Sequence, residues 1–176
     1  AFANKYIPGC DAKKAAAAWM KFSKAMDNYP FSIPFLYASP INYTLAFPIK
    51  PQQADDVPCG RSWLLDKVRG DNLEASLGPY TLDEVIKGLG KVAEEWQNGL
   101  LVFEEAAGGL RSKHAREELA TAKVCGHVFR SAWNTYRAWK LTRDWKKSKL
   151  KEFAKIAEDE AENLAKVLPV LKKDRR

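Results

Sequence analysis

Apolar residues recur every three or four positions in four stretches of the chain, which is the spacing of one buried helix face. This pattern predicts α-helices over residues 11–28, 81–107, 112–144 and 148–168. Asp11, Thr81 and Ser112 stand at the expected N-caps, and Glu84 completes a capping box with Thr81. Because each helix has a single apolar face, we expect the helices to pack against one another as a bundle.

The stretch from residue 28 to residue 49 breaks this pattern. It contains six aromatic residues and four prolines, and it has no charged residue. Such apolarity is typical of a membrane span, but the prolines prevent a continuous helix and free backbone carbonyls that lipid cannot satisfy. We therefore predict a long extended segment over about residues 29–80. Within it, Phe35–Tyr37 and Tyr43–Phe47 are candidate short strands, and Arg61–Val68 is a candidate for one or two helical turns.

These elements together predict an all-α fold: an antiparallel bundle of about four helices, with the extended, aromatic-rich and proline-rich segment packed against it. At 176 residues and 46% apolar content, the chain is large enough for one domain with its own core. The sequence has no initiator Met and ends in Asp-Arg-Arg. We therefore expect residues 1–176 to be a single helical domain cut from a longer chain.

The last predicted helix carries a buried stripe that includes one acidic residue. The apolar members of the stripe are Leu150, Phe153, Ala157, Ala161, Leu164 and Leu168. Glu160 falls on the same stripe, and a buried carboxylate needs a partner, for which Arg130 or Arg137 is expected. Pro169 is expected to end or kink this helix.

Positive charge is concentrated in the second part of the chain. Residues 1–110 carry 11 Lys and Arg against 13 Asp and Glu, whereas residues 111–176 carry 18 against 9. A basic half of this kind attracts nucleic acid, anionic lipid or an acidic partner. However, Lys and Glu alternate at helical spacing, which favours an ordinary solvated helix surface. No helix-turn-helix spacing accompanies the basic residues, so a nucleic-acid partner is not expected.

The cysteines and histidines do not form a metal or catalytic motif. Cys10, Cys59 and Cys125 contain no CxxC pair, and a disulfide between Cys10 and Cys59 is one open possibility. His114 and His127 lie 13 positions apart on one predicted helix, which rules out an i, i+4 ligand pair. We therefore expect no metal and no cofactor, and structural or surface roles for both histidines.

The candidate binding residues lie in the extended segment. They are Tyr37, Asn42, Tyr43, Arg61 and Trp63. Aromatic rings can stack on the face of a sugar, while amide and guanidinium groups donate hydrogen bonds to its hydroxyls. These residue types therefore predict a polar groove for a carbohydrate. The alternative is that the aromatic rings are core residues, and the sequence leaves this open.

Several stretches of the chain resemble one group of large, mostly uncharacterised bacterial glycoside hydrolases. They are AAAAWMKFSKAMDNYPFSIPFLYASPINYTLAFPI, EVIKGLGKVAEEWQNGLLVFEEA, ELATAKVCGHVFRSAWNTYRAWKLTRD and the helix that ends in VLPVLKKDRR. In that group a similar order of motifs occurs in the helical region that follows the catalytic barrel. The resemblance implies an accessory helical domain, with the barrel N-terminal to it and the 29–80 segment as one wall of a sugar cleft. It also implies an exported protein. It contains no catalytic motif, so this chain alone is not expected to hydrolyse a substrate.

Two other functions fit the same sequence. The many aromatic residues and the uneven charge are typical of a structural or interaction subunit that docks onto other domains or subunits. A basic anion-binding or nucleic-acid-binding helical domain is the third hypothesis, and it predicts binding that weakens steeply with salt.

Overall fold

The computed structural model describes residues 2–42, 49, 73–143 and 145–173. In this part of the chain every regular element is helical and no strand occurs, which confirms the all-α prediction. The α-helices are α1 (Phe2–Tyr6), α2 (Ala12–Met26), α3 (Ile33–Ala38), α4 (Leu73–Ser76), α5 (Leu82–Ala107), α6 (Lys113–Thr142) and α7 (Leu150–Lys173). Two single-turn 3-10 helices cover Pro40–Asn42 and Lys147–Lys149.

Local hydrogen bonds fix the starts of three long helices where the sequence placed them. The Asp11 carboxylate accepts from the first backbone N–H groups of α2. Thr81 and Glu84 form the complete capping box at the start of α5. The Ser112 hydroxyl accepts from the Ala115 N–H at the start of α6, over 3.1 Å. These side chains satisfy donors that a helix leaves unpaired at its N-terminus.

Three short helices, α1, α3 and α4, form where the sequence predicted no helix. α1 lies before the first predicted helix, which was expected to begin at residue 11. Phe35–Tyr37, a candidate strand, lies inside α3, so that prediction was wrong. The Ser32 hydroxyl caps α3 by accepting from the Phe35 N–H, and Pro34 is tolerated because the first turn needs no N–H donor. The candidate strand Tyr43–Phe47 and the candidate turns at Arg61–Val68 lie outside the described residues.

The long helices pack in the order α2, α5, α6, α7, each against the next. The N–H of Asp11, before α2, donates to the Ala106 carbonyl near the end of α5, over 3.3 Å. At the opposite end, Asn28 after α2 lies against Gly88 of α5, so the two helices run antiparallel. Midway along, Phe22 of α2 occupies the space beside Gly99, whose missing side chain permits this close approach.

The core is divided into clusters along these contacts. The first joins α1, α2 and the second half of α5 to the start of α6. The second joins α3 and α4 to the start of α5 and the end of α6, around the fully buried rings of Phe35 and Tyr136. A third lies between the end of α6 and the start of α7. Two short helices thus pack on one end of the layer that α5 and α6 form.

The face that α7 buries differs from the stripe that the sequence predicted. Phe153, Ile156, Glu160, Asn163 and Val167 are buried in the structure. Of the predicted stripe only Phe153 belongs to this set, whereas Leu150, Ala161 and Leu168 are exposed. The error has a physical cause, because α6 presents polar side chains to the middle of α7, and these select its polar face. The helix also continues through Pro169, so it does not end at that residue, which was one of the two expected outcomes.

The described cysteines, Cys10 and Cys125, form no disulfide with each other. Cys10 is buried in the first core cluster, and Cys125 is half-buried on α6. The possible disulfide between Cys10 and Cys59 involves a residue outside the described part of the chain, so it stays a prediction. Burial raises the pKa of the Cys125 thiol, so it stays protonated and unreactive at neutral pH.

Candidate functional site

An open groove runs along α6 between α5 and α7, with a volume of about 1070 Å³. Its polar side chains are Lys87, Lys91, Glu94, Gln97, Asn98 and Glu104 on α5, Lys123, His127 and Arg130 on α6, and Asp159, Glu162, Asn163 and Lys166 on α7. Small-ligand sites usually enclose about 300–1,000 Å³. The groove is therefore wide enough for a ligand of several linked rings.

The floor of the groove contains a tryptophan, Trp133, with two arginines within cation–π distance. The guanidinium carbons of Arg130 and Arg137 lie 4.8 and 4.2 Å from the ring centroid of Trp133. Gly90 of α5 lies beside this ring, and a Cβ at Gly90 would come within 3.0 Å of the indole Nε1. Contacts with two guanidinium groups and with the α5 backbone at Gly90 restrict the position of the indole.

Arg130 also forms an ion pair with an acidic residue of α7, Asp159. Its Nε and Nη2 donate to the two carboxylate oxygens of Asp159, over 3.0 and 2.6 Å. This bidentate geometry is the strong form of an ion pair. Burial would raise the pKa of the Asp159 carboxyl, but the hydrogen bonds and charge of Arg130 and its neighbours outweigh burial and lower that pKa. Asp159 is therefore ionised across the neutral range.

His127 is held in one orientation by a reciprocal pair of contacts with Asn163. Its Nδ1 lies 2.8 Å from the Asn163 Oδ1, and the Asn163 Nδ2 donates to the His127 carbonyl over 3.1 Å. Because the amide oxygen can only accept, the proton is assigned to Nδ1. In the neutral imidazole, Nε2 then remains as an acceptor in the groove.

A buried carboxyl group lies behind the groove, between α6 and α7. Glu160 is 5% exposed and accepts from the Ser131 hydroxyl over 2.6 Å and from the Asn134 amide over 3.0 Å. The sequence correctly placed Glu160 in a buried seam but named the wrong partners, because Arg130 and Arg137 pair with Asp159 instead. Burial raises the pKa of the Glu160 carboxyl against the hydrogen bonds that lower it.

The charges that line the groove nearly cancel. Five Lys and Arg residues face four Asp and Glu residues. Lys123 pairs with Glu104 over 2.7 Å, and Lys166 pairs with Glu162 over 2.5 Å. A polyanion would need an excess of unpaired positive charge. The groove therefore suits a neutral polar ligand better than a nucleic acid.

The predicted basic side of α6 is also largely paired with acids. Arg130 and Arg137 face Asp159, as described above. Further along, Lys140 contacts Asp83 of α5 over 2.5 Å. Arg143 contacts Glu74 of α4 over 3.3 Å. These positive charges stabilise contacts between helices, so fewer of them are available to an anionic ligand.

Tyr37, the candidate binding residue whose side chain the structure describes, is not among the residues that line this groove. Tyr37 lies on α3 and is half-buried, and the backbone of Asn42 ends the 3-10 helix Pro40–Asn42. Tyr43, Arg61 and Trp63 lie outside the described residues. Their predicted contact with a sugar stays a prediction.

Sequence reasoning missed most of the groove because its members come from three helices. Gln97 and Asn98 are adjacent amides on α5, and nothing in their spacing pointed to a site. Asn134 and Asn163 carry a signal in hindsight, because each lies at helical spacing from buried apolar residues, Ala138 and Leu141 for Asn134 and Ile156 and Val167 for Asn163. That signal identifies a buried polar contact but not the helix that supplies it.

The described residues contain neither a cluster of metal ligands nor a membrane-spanning helix. In those ranges no three His, Cys, Asp or Glu side chains converge as metal ligands would. Nor does any helix among them have the length and apolarity that a bilayer crossing requires.

The chain matches no known protein family, and no curated protein or solved structure is similar to it.

Proposed function

We propose that the chain is an accessory helical domain of a carbohydrate-active enzyme, and that the groove between α5, α6 and α7 binds an oligosaccharide. The observation that carries the proposal is a wide, nearly charge-balanced groove whose walls offer both donors and acceptors. Sugar hydroxyls both donate and accept, so they need this mixture. The predicted antiparallel four-helix bundle, with the 29–80 segment packed against it, belongs to the proposal as the scaffold.

Each wall of the groove supplies a different kind of contact. Gln97 and Asn98 are exposed amides on the α5 side, and each offers a donor and an acceptor. On the floor, His127 offers the Nε2 acceptor, and Arg130 lies over the indole of Trp133. Binding would come from several hydrogen bonds to hydroxyl groups, with the restricted position of the indole limiting the entropy that is lost.

Titration of the purified chain with neutral oligosaccharides of two to six sugars tests the groove. We expect binding to the unchanged chain, and the double variant Gln97→Ala/Asn98→Ala should weaken it by roughly tenfold or more, since each lost hydrogen bond costs about 1 kcal/mol. Asn4→Ala is the control, because Asn4 is an exposed amide on α1, away from the groove.

The outcomes separate the groove from the extended segment. No binding to any oligosaccharide, or equal affinities for the double variant and the control, would overturn the groove site. If only Tyr37→Ala weakens binding, the sugar contact lies with the residues that the sequence indicated.

The accessory role has its own test, which is the intact mass of the native polypeptide purified without added protease. We expect a mass several-fold larger than the 19.8 kDa of this chain, because a catalytic domain would be attached. A native mass near 19.8 kDa would contradict the accessory role. In that case a self-standing binding or interaction subunit becomes the better hypothesis.

A further inference from the structure

α7 carries a second apolar face besides the one that it buries against α6. Its members are Leu150, Ala154, Ala157, Ala161, Leu164, Leu168 and Leu171, and we call this set the outer stripe. They are spaced by four and three residues in alternation, which is the heptad spacing of a helix that packs on another helix. The spacing holds without interruption across nearly the whole of α7.

The outer stripe faces solvent in the structure. Leu150, Leu168 and Leu171 are 51%, 50% and 39% exposed. Ala154 and Ala161 are exposed as well, and the remaining two members are half-buried. An uninterrupted apolar strip of this length on a surface helix is typical of a protein-interaction site.

The outer stripe and the groove lie on opposite sides of α7. Each residue of an α-helix is rotated by about 100° from the one before, so the outer stripe is centred about 90° from the buried seam. The groove residues Asp159, Glu162 and Lys166 are centred about 180° from the outer stripe. A partner that covers the outer stripe therefore leaves the groove open. This inference is independent of the function proposed for the groove.

The order of side-chain sizes along the outer stripe points to its occupant. The first half contains small residues, Ala154 and Ala157, while the second half contains large ones, Leu164 and Leu168. If a second copy lies antiparallel with Ala161 opposite its own counterpart, Ala154 and Ala157 each lie against a leucine, while Ala161 faces alanine and Leu150 lies near Leu171. Ala154 then faces Leu168, and Ala157 faces Leu164. A parallel pair would instead set alanine against alanine, which leaves gaps, and leucine against leucine.

We propose that two copies of this chain associate through their outer stripes as an antiparallel, two-fold symmetric pair of α7 helices. A two-fold interface uses the same patch on both copies, so the patch must be complementary to itself. The outer stripe meets this condition better in the antiparallel direction, where Ala154 and Ala157 lie against leucines of the partner.

The size of the interface predicts a weak dimer. α7 has 24 residues, so it is about 36 Å long, and a contact strip about 10 Å wide covers roughly 360 Å² on each copy. The total of roughly 700 Å² is below the 1,200–2,000 Å² or so of standard stable interfaces. We therefore expect an equilibrium between monomer and dimer that depends on protein concentration.

Charge opposes the association, which gives the dimer a distinctive salt dependence. Each copy carries a net charge of +7. In the antiparallel pair, Lys151 at the start of one outer stripe also approaches Lys172 at the end of the other. Salt screens such repulsion. The fraction of dimer should therefore rise from low to moderate salt. The fraction of a dimer held by ion pairs would instead fall over the same change.

Sedimentation velocity over a range of protein concentrations, at low and at moderate salt, tests the association. Leu168→Glu places a charge in the outer stripe at a half-exposed position, so the fold should persist, and circular dichroism checks that it does. We expect the association constant of the dimer to fall at least about tenfold. Burying a charge costs more than the 1.4 kcal/mol or so that corresponds to a tenfold change in an equilibrium constant. Leu101→Glu is the matched control, because Leu101 is 53% exposed on α5, outside the outer stripe.

Cysteine cross-linking tests the direction of the pair. A mixture of Ala154→Cys and Leu168→Cys chains should form the mixed disulfide under mild oxidation, and peptide mapping distinguishes it from bonds to the native cysteines. A 154-to-154 disulfide would overturn the antiparallel arrangement. A chain that stays monomeric at every concentration, or a dimer that Leu168→Glu leaves unchanged, would overturn the association itself.

Discussion

Replacing Tyr136 by alanine is expected to lower the free energy of unfolding by about 3–5 kcal/mol, the usual cost of emptying a large aromatic site. The Tyr136 side chain has no exposed surface. Its ring stacks on Phe35 of α3 with 6.0 Å between centroids, and its hydroxyl lies 2.5 Å from the Ser76 hydroxyl of α4. Tyr136 therefore holds both short helices against α6.

Two variants show which part of the tyrosine contributes. Tyr136→Phe keeps the ring and loses only the hydroxyl contact, so we expect a loss of about 1 kcal/mol. Phe2→Ala removes a ring that is 64% exposed and should cost less than about 1 kcal/mol. Urea denaturation measures the free energy of unfolding of Tyr136→Ala, Tyr136→Phe and Phe2→Ala. A loss below about 1 kcal/mol for Tyr136→Ala would mean that α3 and α4 are not anchored in this way.

Replacing Glu160 by leucine is expected to lower the free energy of unfolding by about 2–4 kcal/mol. The carboxylate is the acceptor for the Ser131 hydroxyl and the Asn134 amide, and both of these groups are buried. Leucine cannot accept a hydrogen bond, so both lose this acceptor while they stay away from water. Glu158→Leu is the matched control, because Glu158 is an exposed neighbour on the same helix.

A triple variant separates two contributions to the free energy of unfolding. One is the loss of the Glu160 acceptor, and the other is the cost of burying the Glu160 charge. In Ser131→Ala/Asn134→Leu/Glu160→Leu the buried polar groups are removed together, so part of the lost stability should return. If the triple variant is less stable than Glu160→Leu alone, the polar seam contributes through more than its hydrogen bonds. Both variants are measured by urea denaturation beside the unchanged chain.

The pH dependence of stability gives Glu160 a second signature. Burial raises its pKa in the folded state above the ordinary value of 4.5. Between that value and the raised pKa the folded state binds more protons than the unfolded state, so this contribution is full below pH 4.5 and is lost as the pH rises through the folded-state pKa. Glu160→Gln cannot ionise. The stability of the unchanged chain relative to Glu160→Gln should therefore decrease as the pH rises, and a constant difference would contradict the raised pKa.

The amino-acid sequence was sufficient for features that depend on neighbouring residues. The helix starts at Asp11, Thr81 and Ser112 are set by side chains that accept from N–H groups two or three residues away. Such contacts form within one turn, so the sequence determines them directly. Proline and aromatic content was a poorer guide, since α3 forms around Pro34 where a strand was a candidate.

The groove could not be predicted, because no single stretch contains it. Gln97, Arg130 and Asn163 come from three helices and are brought together only when α5, α6 and α7 pack. Each of these residues is an ordinary polar residue in its own helix. The sequence pointed instead to the extended segment, where aromatic residues are dense along the chain.

By itself the sequence determined that the chain is helical, where its long helices begin and that Glu160 lies in a buried seam. Only the tertiary structure decided which of the two faces of α7 is buried. Apolarity alone favours the leucine and alanine face, but Ser131 and Asn134 on α6 offer hydrogen bonds to Glu160. A helix buries the face that complements its neighbour, and that neighbour lies 26 and 29 residues away along the chain.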